Sequence, residues 1–188
     1  MDFQELLLKV AKILDDLSIS YAVTGGYAVS MLGRIRSTLD IDVIIELPHS
    51  KISLLTEALK IISEMSYVDE NMVVRAVERK DEFNFIHVES GIKVDFFVQG
   101  SDAYSKGKFQ RRIAKKIGKQ TIYLVSPEDL ILSKLRWHKI SESSRQLEDV
   151  ESIIKIQRKL DWKYLSRWSK IHKTSGVLES LRKRVGRT

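Results

Sequence analysis

The chain has 188 residues, enough for one large domain or two small ones with a buried core, and it contains no cysteine. Disulfides, thiol catalysis and cysteine-ligated zinc are thereby excluded, and we expect a reducing, cytoplasmic setting. Of the residues, 43% are hydrophobic and 30% are charged, which is typical of a globular protein rather than a disordered one. No apolar run reaches transmembrane length and the N-terminus is acidic, so we expect neither membrane insertion nor secretion.

The net charge of +7 is distributed unevenly along the chain. Residues 1–103 carry a net charge of −7, and residues 104–188 carry a net charge of +14. An acidic half followed by a basic half suggests a site at which a metal ion meets a polyanion. A solvated basic surface would give the same composition, so the charge alone does not decide between these two interpretations.

Helices and strands alternate in the first part of the chain. Apolar residues at helical spacing predict amphipathic helices over 2–17 and 50–65. A strand at 19–24 leads into Gly25–Gly26, a short helix follows and ends at Gly33, and a strand is expected over 39–47. The later strands are predicted over 72–79, over 82–100 as a hairpin that turns at 89–91, and over 109–126 as a hairpin that turns at Gly118.

The second part begins with a strong helix start at Ser126–Pro127. It combines a capping serine, a proline in the first turn and acidic residues near the positive end of the helix dipole. The helices are expected over 127–140, 144–159, 161–171 and 176–184. We therefore predict an α+β protein with a mixed β-sheet flanked by helices at 1–125 and a C-terminal helical bundle at 126–188. Because a helix cap separates the two parts, we expect the second to pack on the first.

The tryptophans of the predicted bundle have a structural and a functional interpretation. They could stack on bases, but large aromatic side chains more often anchor a helical core. We expect the second role for Trp137, Trp162 and Trp168.

Two carboxylates one residue apart interrupt the apolar strand over 39–47. Side chains alternate along a strand, so Asp40 and Asp42 lie on the same face, where they repel unless a cation lies between them. A third carboxylate, Asp95, occurs in another apolar strand. Mg²⁺ prefers carboxylate oxygens together with water and substrate phosphates, and three such acids can hold two metal ions for phosphoryl or nucleotidyl transfer. Taken singly, each acid could be a surface residue, and Asp95 could pair with Lys93.

The adjacent glycines Gly25 and Gly26 lie between a predicted strand and a predicted helix. Without a Cβ atom, the backbone amides there can approach phosphate oxygens, and a helix N-terminus adds partial positive charge. A glycine pair alone is most often a simple turn. Here it precedes Arg-Ser-Thr-Leu-Asp-Ile-Asp and a later strand with a single aspartate, and this combination favours phosphate binding.

This combination resembles the nucleotidyltransferase superfamily related to DNA polymerase beta, with its small-residue turn, Asp-x-Asp strand and third aspartate on a later strand. The R-x-T-x-D-I-D spelling at 36–42 is particularly similar to the AbiEii/AbiGii-type toxin nucleotidyltransferases of prokaryotes and their uncharacterised relatives. In those proteins a helix after the sheet carries a lysine within S-P-E-D-L-x-x-x-K, and the next helix carries R-x-x-x-D. The matching residues here are Lys134, Arg145 and Asp149, so the resemblance covers roughly residues 20–155.

The resemblance implies a nucleotidyltransferase-type fold and assigns roles to the residues of the first part. Gly25 and Gly26 would bind the triphosphate of an NTP. Asp40 and Asp42 would ligate Mg²⁺, or Mn²⁺ in its place. Asp95 would ligate the metal ion that activates the acceptor hydroxyl and would serve as its base.

The resemblance also assigns roles to residues outside the acid pair. Lys134 would contact phosphate or stabilise charge in the transition state, and Asp149 would orient Lys134 or the nucleotide. Arg36 and Thr38 would hold the loop before the acids or contact phosphate. As alternatives, Lys134 could be one of several solvated basic residues on its helix, and Arg145 with Asp149 could form only a surface ion pair.

The leading hypothesis is a magnesium-dependent enzyme that transfers a nucleoside monophosphate from an NTP to a hydroxyl and releases pyrophosphate. Residues 155–188 hold 11 Lys and Arg against 2 Asp and Glu, which favours RNA such as tRNA as the acceptor. The resemblance adds a toxin role in a toxin–antitoxin or phage-defence pair, with a cognate antitoxin protein as partner. The alternatives are a protein or small-molecule acceptor, and a catalytically silent nucleotidyltransferase-fold module that acts through binding.

Overall fold

The computed structural model describes residues 1–186, and the chain divides into two compact units. The first unit comprises Met1–Tyr27 and Thr38–Leu124, and the second comprises Ala28–Ser37 and the chain from Val125 onward. The later division falls beside the helix start that the sequence places at Ser126. The assignment of Ala28–Ser37 to the second unit has no counterpart in the sequence prediction, and the expected packing of the two parts stays a prediction.

A mixed β-sheet forms the centre of the first unit. Its strands are β1 (Ser20–Val23), β2 (Asp40–Glu46), β3 (Ser66–Tyr67), β4 (Glu82–His87), β5 (Ile92–Val98), β6 (Ile113–Ile117) and β7 (Gln120–Leu124). Their order across the sheet is β3-β4-β5-β2-β1-β7-β6. β2 pairs with β5 and β1 with β7 in parallel, whereas the other neighbours pair antiparallel. The mixed sheet and the two predicted hairpins, β4–β5 and β6–β7, confirm the α+β class.

Helices of the first unit flank the sheet in the chain, and most of them bury apolar residues at helical spacing. They are α1 (Phe3–Asp16), α3 (Ile52–Lys60), α4 (Glu70–Arg79) and α5 (Ala103–Gln110), while α2 (Gly25–Leu32) begins in the first unit and ends in the second. In α1, the side chains of Asp2 and Glu5 cap the first turn reciprocally. Leu6, Val10 and Leu14 of the same helix are fully buried, which places its apolar stripe in the core.

The segment 72–79, predicted as a strand, lies in helix α4 instead. Its valines favour a strand, yet the buried residues Val73, Ala76 and Val77 are spaced three and one residues apart, as on one face of a helix. The Asp69 side chain caps the first turn by accepting hydrogen bonds from two backbone amides. The strand prediction is wrong because β-branching lowers helix propensity only slightly, and the helical spacing of the buried positions outweighs it.

The part of the second unit after residue 125 is helical, as predicted. Its helices are α6 (Pro127–Ser141), α7 (Ser144–Ile156), α8 (Trp162–Ile171) and α9 (Ser175–Arg184). The Ser126 hydroxyl accepts a hydrogen bond from the amide of Asp129, and Pro127 occupies the first turn of α6, which confirms the predicted helix start. None of the helices within residues 1–186 has the length and apolarity that crossing a bilayer requires.

The tryptophans of the second unit differ in exposure. Trp137 on α6 is 54% exposed, so the expectation that it anchors the helical core is wrong. Trp162 and Trp168 are half-buried, and the guanidinium of Arg182 lies 4.4 Å from the ring centre of Trp162. The helices therefore pack mainly through aliphatic residues such as Leu165, which is fully buried.

Candidate active site

Three aspartates lie on the neighbouring parallel strands β2 and β5. Asp42 is directly opposite Asp95, and Asp40 is directly opposite Lys93. These acids are half-buried, whereas the alternate residues on both strands, such as Ile41, are fully buried in the core. Because strand side chains alternate between faces and neighbouring strands lie about 5 Å apart, the three carboxylates share one face and form one cluster. The predicted common face of the acid pair is therefore confirmed.

Gly25 lies against the Asp42 carboxylate at the start of α2. Its φ angle is +62°, and a Cβ atom built on its backbone would lie 1.7 Å from Asp42 Oδ2. The amide of Thr24 donates a hydrogen bond to the backbone carbonyl of Asp42 at 2.8 Å, which joins the turn to β2. Glycine is therefore required at position 25 both for its backbone conformation and because the carboxylate occupies the space of a side chain.

Lys93 supplies a positive charge within the acid cluster. Its Nζ lies 2.8 Å from Asp95 Oδ2. The hydrogen bond to Asp95 and the negative charges of Asp95, Asp40 and Asp42 raise the pKa of Lys93, and partial burial opposes them. The pairing of Lys93 with Asp95, one of the alternatives from the sequence, is thus present.

The carboxylate cluster has the chemistry of a site for a hard divalent cation. Within residues 1–186, no group of three or more histidine, cysteine, aspartate or glutamate side chains is placed so that together they could hold a metal ion. Mg²⁺ does not require such a set, since one or two carboxylates commonly hold it together with water and substrate phosphates. The ammonium of Lys93 beside Asp95 also indicates that a cation is favoured there. The oxygen atoms of Asp40, Asp42 and Asp95 are donors of the type that such a cation prefers, and their assignment as its ligands stays a prediction.

A second cluster of charged groups lies inside the second unit. Arg36 Nε is 3.0 Å from Asp149 Oδ1, and Lys134 Nζ is 3.2 Å from Asp149 Oδ2. The side chain of Asp149 is fully buried, and those of Lys134 and Arg36 are 9% and 14% exposed. Lys134 is therefore not a solvated residue on its helix. Arg145 donates a hydrogen bond to the carbonyl of Ser37, and the interpretation of Asp149 as a surface partner of Arg145 is wrong.

The remaining predicted residues flank the acids in the chain. The hydroxyl of Thr38 donates a hydrogen bond to the carbonyl of Asp40 at 3.1 Å, which fits the expectation that it holds the loop. Gly26 is the second residue of α2. Asn84 on β4, which was not assigned a role, lies directly opposite Asp95 and extends the row of polar residues across a third strand. The alternation of polar and aromatic residues along 82–85 is the sequence feature that points to it.

A cleft of about 710 Å³ lies elsewhere in the first unit, and its lining includes Glu46, Lys80, Val98, Lys106 and Arg112. Glu46 ends β2 whereas Asp40 begins it, so along the strand Glu46 lies about 20 Å from Asp40 and about 13 Å from Asp42. The predicted catalytic residues do not line this cleft, and its volume alone does not identify a site of chemistry.

Replacing Gly25 by alanine is expected to lower the free energy of unfolding by about 2–3 kcal/mol. The added Cβ would meet Asp42, and alanine is disfavoured at a positive φ angle. Gly118→Ala is a matched control because Gly118 has a φ of +59° with nothing within 4 Å of an added Cβ. Backbone strain alone, about 1 kcal/mol, is expected there. Urea denaturation measures both variants, and equal losses would show that Asp42 does not constrain position 25.

Comparisons with known proteins give a family and a fold. A family model described as "Nucleotidyltransferase of unknown function (DUF6036)" matches residues 1–185. An antigenic nucleotidyltransferase-like protein from Paracoccidioides brasiliensis is 21% identical with a TM-score of 0.57, over 95% of this chain and 91% of that chain. The lincosamide antibiotic adenylyltransferase LnuA, solved with lincomycin bound, is 14% identical with a TM-score of 0.57, over 84% and 99% of the two chains.

A further solved structure has the same fold. The antibiotic-resistance factor ANT(2'')-Ia is 14% identical with a TM-score of 0.55, over 99% of this chain and 97% of that chain. No curated protein sequence matches the chain. At these identities the solved structures establish similarity of fold alone.

Proposed function

Because the chain belongs to the family of nucleotidyltransferases of unknown function that this family model describes, we propose that it transfers a nucleoside monophosphate from an NTP to a hydroxyl. The acceptor oxygen forms a bond to the α-phosphorus, the bond from that phosphorus to the bridging oxygen breaks, and pyrophosphate leaves. The observation that carries the proposal is the cluster of Asp40, Asp42 and Asp95 on one face of the sheet, with Gly25 against it.

Asp40, Asp42 and Asp95 hold Mg²⁺, or Mn²⁺ in its place, in this proposal. A divalent cation there supplies charge that lowers the pKa of the acceptor hydroxyl and neutralises the departing pyrophosphate. Asp95 accepts the proton of the hydroxyl. The amides at Gly25 and Gly26 bind triphosphate oxygens, which is supported by their position at the start of α2, where the helix dipole favours negative charge.

Four further residues bind or position the nucleotide in this proposal. Lys134 contacts a phosphate, Asp149 orients Lys134, and Arg36 and Thr38 hold the loop or contact phosphate. The support is the buried contact of Lys134 and Arg36 with Asp149, which holds the two cations beside one carboxylate. A preoriented cation interacts with developing negative charge at less entropic cost than a mobile one.

We propose RNA, such as tRNA, as the acceptor of a cytoplasmic enzyme. The support is electrostatic, because residues 155–188 carry 11 Lys and Arg against 2 Asp and Glu. The exposed ring of Trp137 on α6 adds a surface on which an unpaired base can stack. The toxin role and the cognate antitoxin partner belong to this proposal through the resemblance to AbiEii/AbiGii-type proteins.

A small-molecule hydroxyl is the second candidate acceptor. Two of the solved structures with this fold are an antibiotic adenylyltransferase and an antibiotic-resistance factor, and the first was solved with lincomycin bound. The basic second half argues against a cationic antibiotic, because like charges repel.

Label transfer from NTPs tests the proposed function. The full chain is incubated with Mg²⁺ and each α-labelled NTP in turn, together with total RNA, total protein or a set of hydroxyl-bearing antibiotics. We expect label in RNA and release of pyrophosphate, both lost on chelation of the metal. Label in protein or in an antibiotic would show that the acceptor is not RNA, and it would still support nucleotidyl transfer. No label with any NTP and any acceptor would contradict the reaction and favour a silent binding module.

The RNA contact can be tested without removing a segment of the chain. Deleting residues 155–188 would remove Leu165, Leu178 and Leu181, which are buried, and would disrupt the second unit itself. Substitution of exposed cations avoids this effect. Lys163, Arg167 and Lys170 are exposed and recur at helical spacing on α8, so they share one face.

The triple variant Lys163→Gln, Arg167→Gln and Lys170→Gln should weaken RNA retention and reduce its dependence on salt. Each lost phosphate contact lowers the slope of log K against log salt by about 0.7, so a reduction of about 2 is expected. The matched control neutralises the exposed residues Lys9, Lys12 and Lys60 of the first unit. Filter binding at several salt concentrations measures both slopes. An equal reduction in the two variants would show that retention is nonspecific and would contradict the assigned surface.

A further inference from the structure

We propose that Lys93 is the resident counter-cation of the carboxylate cluster, and that a divalent metal ion must displace its ammonium from Asp95 in order to bind. This inference rests on the proposed function, since it concerns the loading of the same site. It identifies Lys93 as a positioning residue that sets the affinity of the site for metal, a role that none of the sequence motifs assigns.

The position of Lys93 follows from the register of two strands. Lys93 and Asp95 are two residues apart on β5, so their side chains leave the same face of the sheet. Lys93 is directly opposite Asp40, and Asp95 is directly opposite Asp42, on the parallel strand β2. On β2 and β5, the residues that surround Lys93 in these two rows, Asp40, Asp42 and Asp95, are therefore all acids.

The contact between Lys93 and Asp95 competes with metal coordination for the same oxygen. Lys93 Nζ lies 2.8 Å from Asp95 Oδ2, and the two side chains are 39% and 18% exposed. Magnesium binds carboxylate oxygen at about 2.1 Å, so a metal ion on this oxygen would lie within about 5 Å of the ammonium. Two positive centres this close repel strongly in a half-buried site, and the ammonium must therefore move away.

Displacement is feasible because of the structure of the lysine side chain. Four methylene groups carry the ammonium, and 39% of the side chain is exposed, so Lys93 can turn towards solvent without moving the backbone of β5. Like-charged carboxylates on one face repel one another, and the ammonium of Lys93 reduces this repulsion at Asp95. Lys93 thus stabilises the metal-free fold and opposes metal binding through one and the same contact.

A titration of the full chain with Mn²⁺ tests this inference, with free Mn²⁺ followed by electron paramagnetic resonance. Lys93→Met, which keeps length and removes charge, should bind Mn²⁺ about fivefold more tightly than the wild type. Lys93→Arg, which retains the charge, should stay near the wild type. Lys115→Met is the matched control, because Lys115 is an exposed lysine on β6 of the same sheet and β6 lies at its edge. Its affinity should not change.

Thermal unfolding provides a second measurement. Without metal, Lys93→Met should unfold at a lower temperature than the wild type. Saturating Mn²⁺ should raise the Tm of this variant by more than it raises the Tm of the wild type. Lys93→Gln gives the same comparison if the methionine variant does not fold. A purely structural lysine would lower the Tm without tightening Mn²⁺ binding.

The outcomes separate this inference from the proposed function. Unchanged or weaker Mn²⁺ binding by Lys93→Met and Lys93→Gln overturns the inference, whereas the metal site stands if Asp42→Asn abolishes the binding seen in the wild type. No Mn²⁺ binding by the wild type contradicts the proposed metal site and the inference together.

Discussion

Replacing Asp42 by asparagine should lower the rate of nucleotidyl transfer at least about a hundredfold while the chain remains folded. Asparagine keeps the shape of the side chain but loses the charge that a divalent cation requires. Asp42 has the central position in the cluster, because Asp95 is directly opposite it on β5 and Gly25 lies against its carboxylate. The removal of this charge would therefore affect both the proposed metal ion and the turn that is proposed to bind phosphate.

Glu46→Gln is the matched control for this substitution. Glu46 is an exposed acid on the same strand, but it lies at the end opposite to Asp40. Its substitution should change the rate by no more than about twofold, as expected for a surface residue. The rate of NMP incorporation with saturating NTP and Mg²⁺ is the measurement, and thermal unfolding checks that both variants are folded. Similar rates for the two variants would place the chemistry elsewhere in the chain.

Replacing Asp149 by alanine should lower the free energy of unfolding by about 3–5 kcal/mol. Asp149 is fully buried and accepts contacts from Lys134 and Arg36, whose side chains are both less than one-seventh exposed. Its removal would leave two largely buried cations without their shared carboxylate. The cost of uncompensated charge in a low-dielectric interior is larger than the net gain from most ion pairs.

The adjacent residue provides a control for Asp149. Glu148 is half-exposed and pairs with Arg34, so Glu148→Ala should cost at most about 1 kcal/mol. Urea denaturation of the full chain measures both variants. Equal losses would mean that the buried network does not stabilise the second unit. In Asp149→Asn, if it folds, an increase in the KM for NTP would support the proposed role of this residue in positioning Lys134 for the nucleotide.

The helices and the acid pair were accessible to sequence analysis because they depend on local periodicity. Apolar spacing and the Ser126 cap located the helices after residue 126, and alternation placed Asp40 and Asp42 on one face. The same reasoning failed over 72–79, where β-branched residues in a helix gave the composition of a strand. There the burial of Val73 and Val77 against the rest of the fold decided the conformation.

The sequence also singled out the glycine at position 25, but it gave only one of the two physical reasons for a glycine there. Phosphate binding was expected to require the missing Cβ, whereas the fold shows that the carboxylate of Asp42 already fills that space. The two residues are 17 positions apart, and no local pattern reports their contact.

Local periodicity in the sequence was sufficient to predict that this chain presents Asp40 and Asp42 together, because the two-residue repeat of a strand is a property of neighbouring residues. Tertiary structure decided that Asp95 lies opposite Asp42, that Lys93 lies opposite Asp40 within the acid cluster, and that Asp149 is buried between cations. The first two depend on the register between β2 and β5, and the third joins residues 113 positions apart. Such contacts form only when distant segments pack, so side-chain spacing along the chain does not encode them.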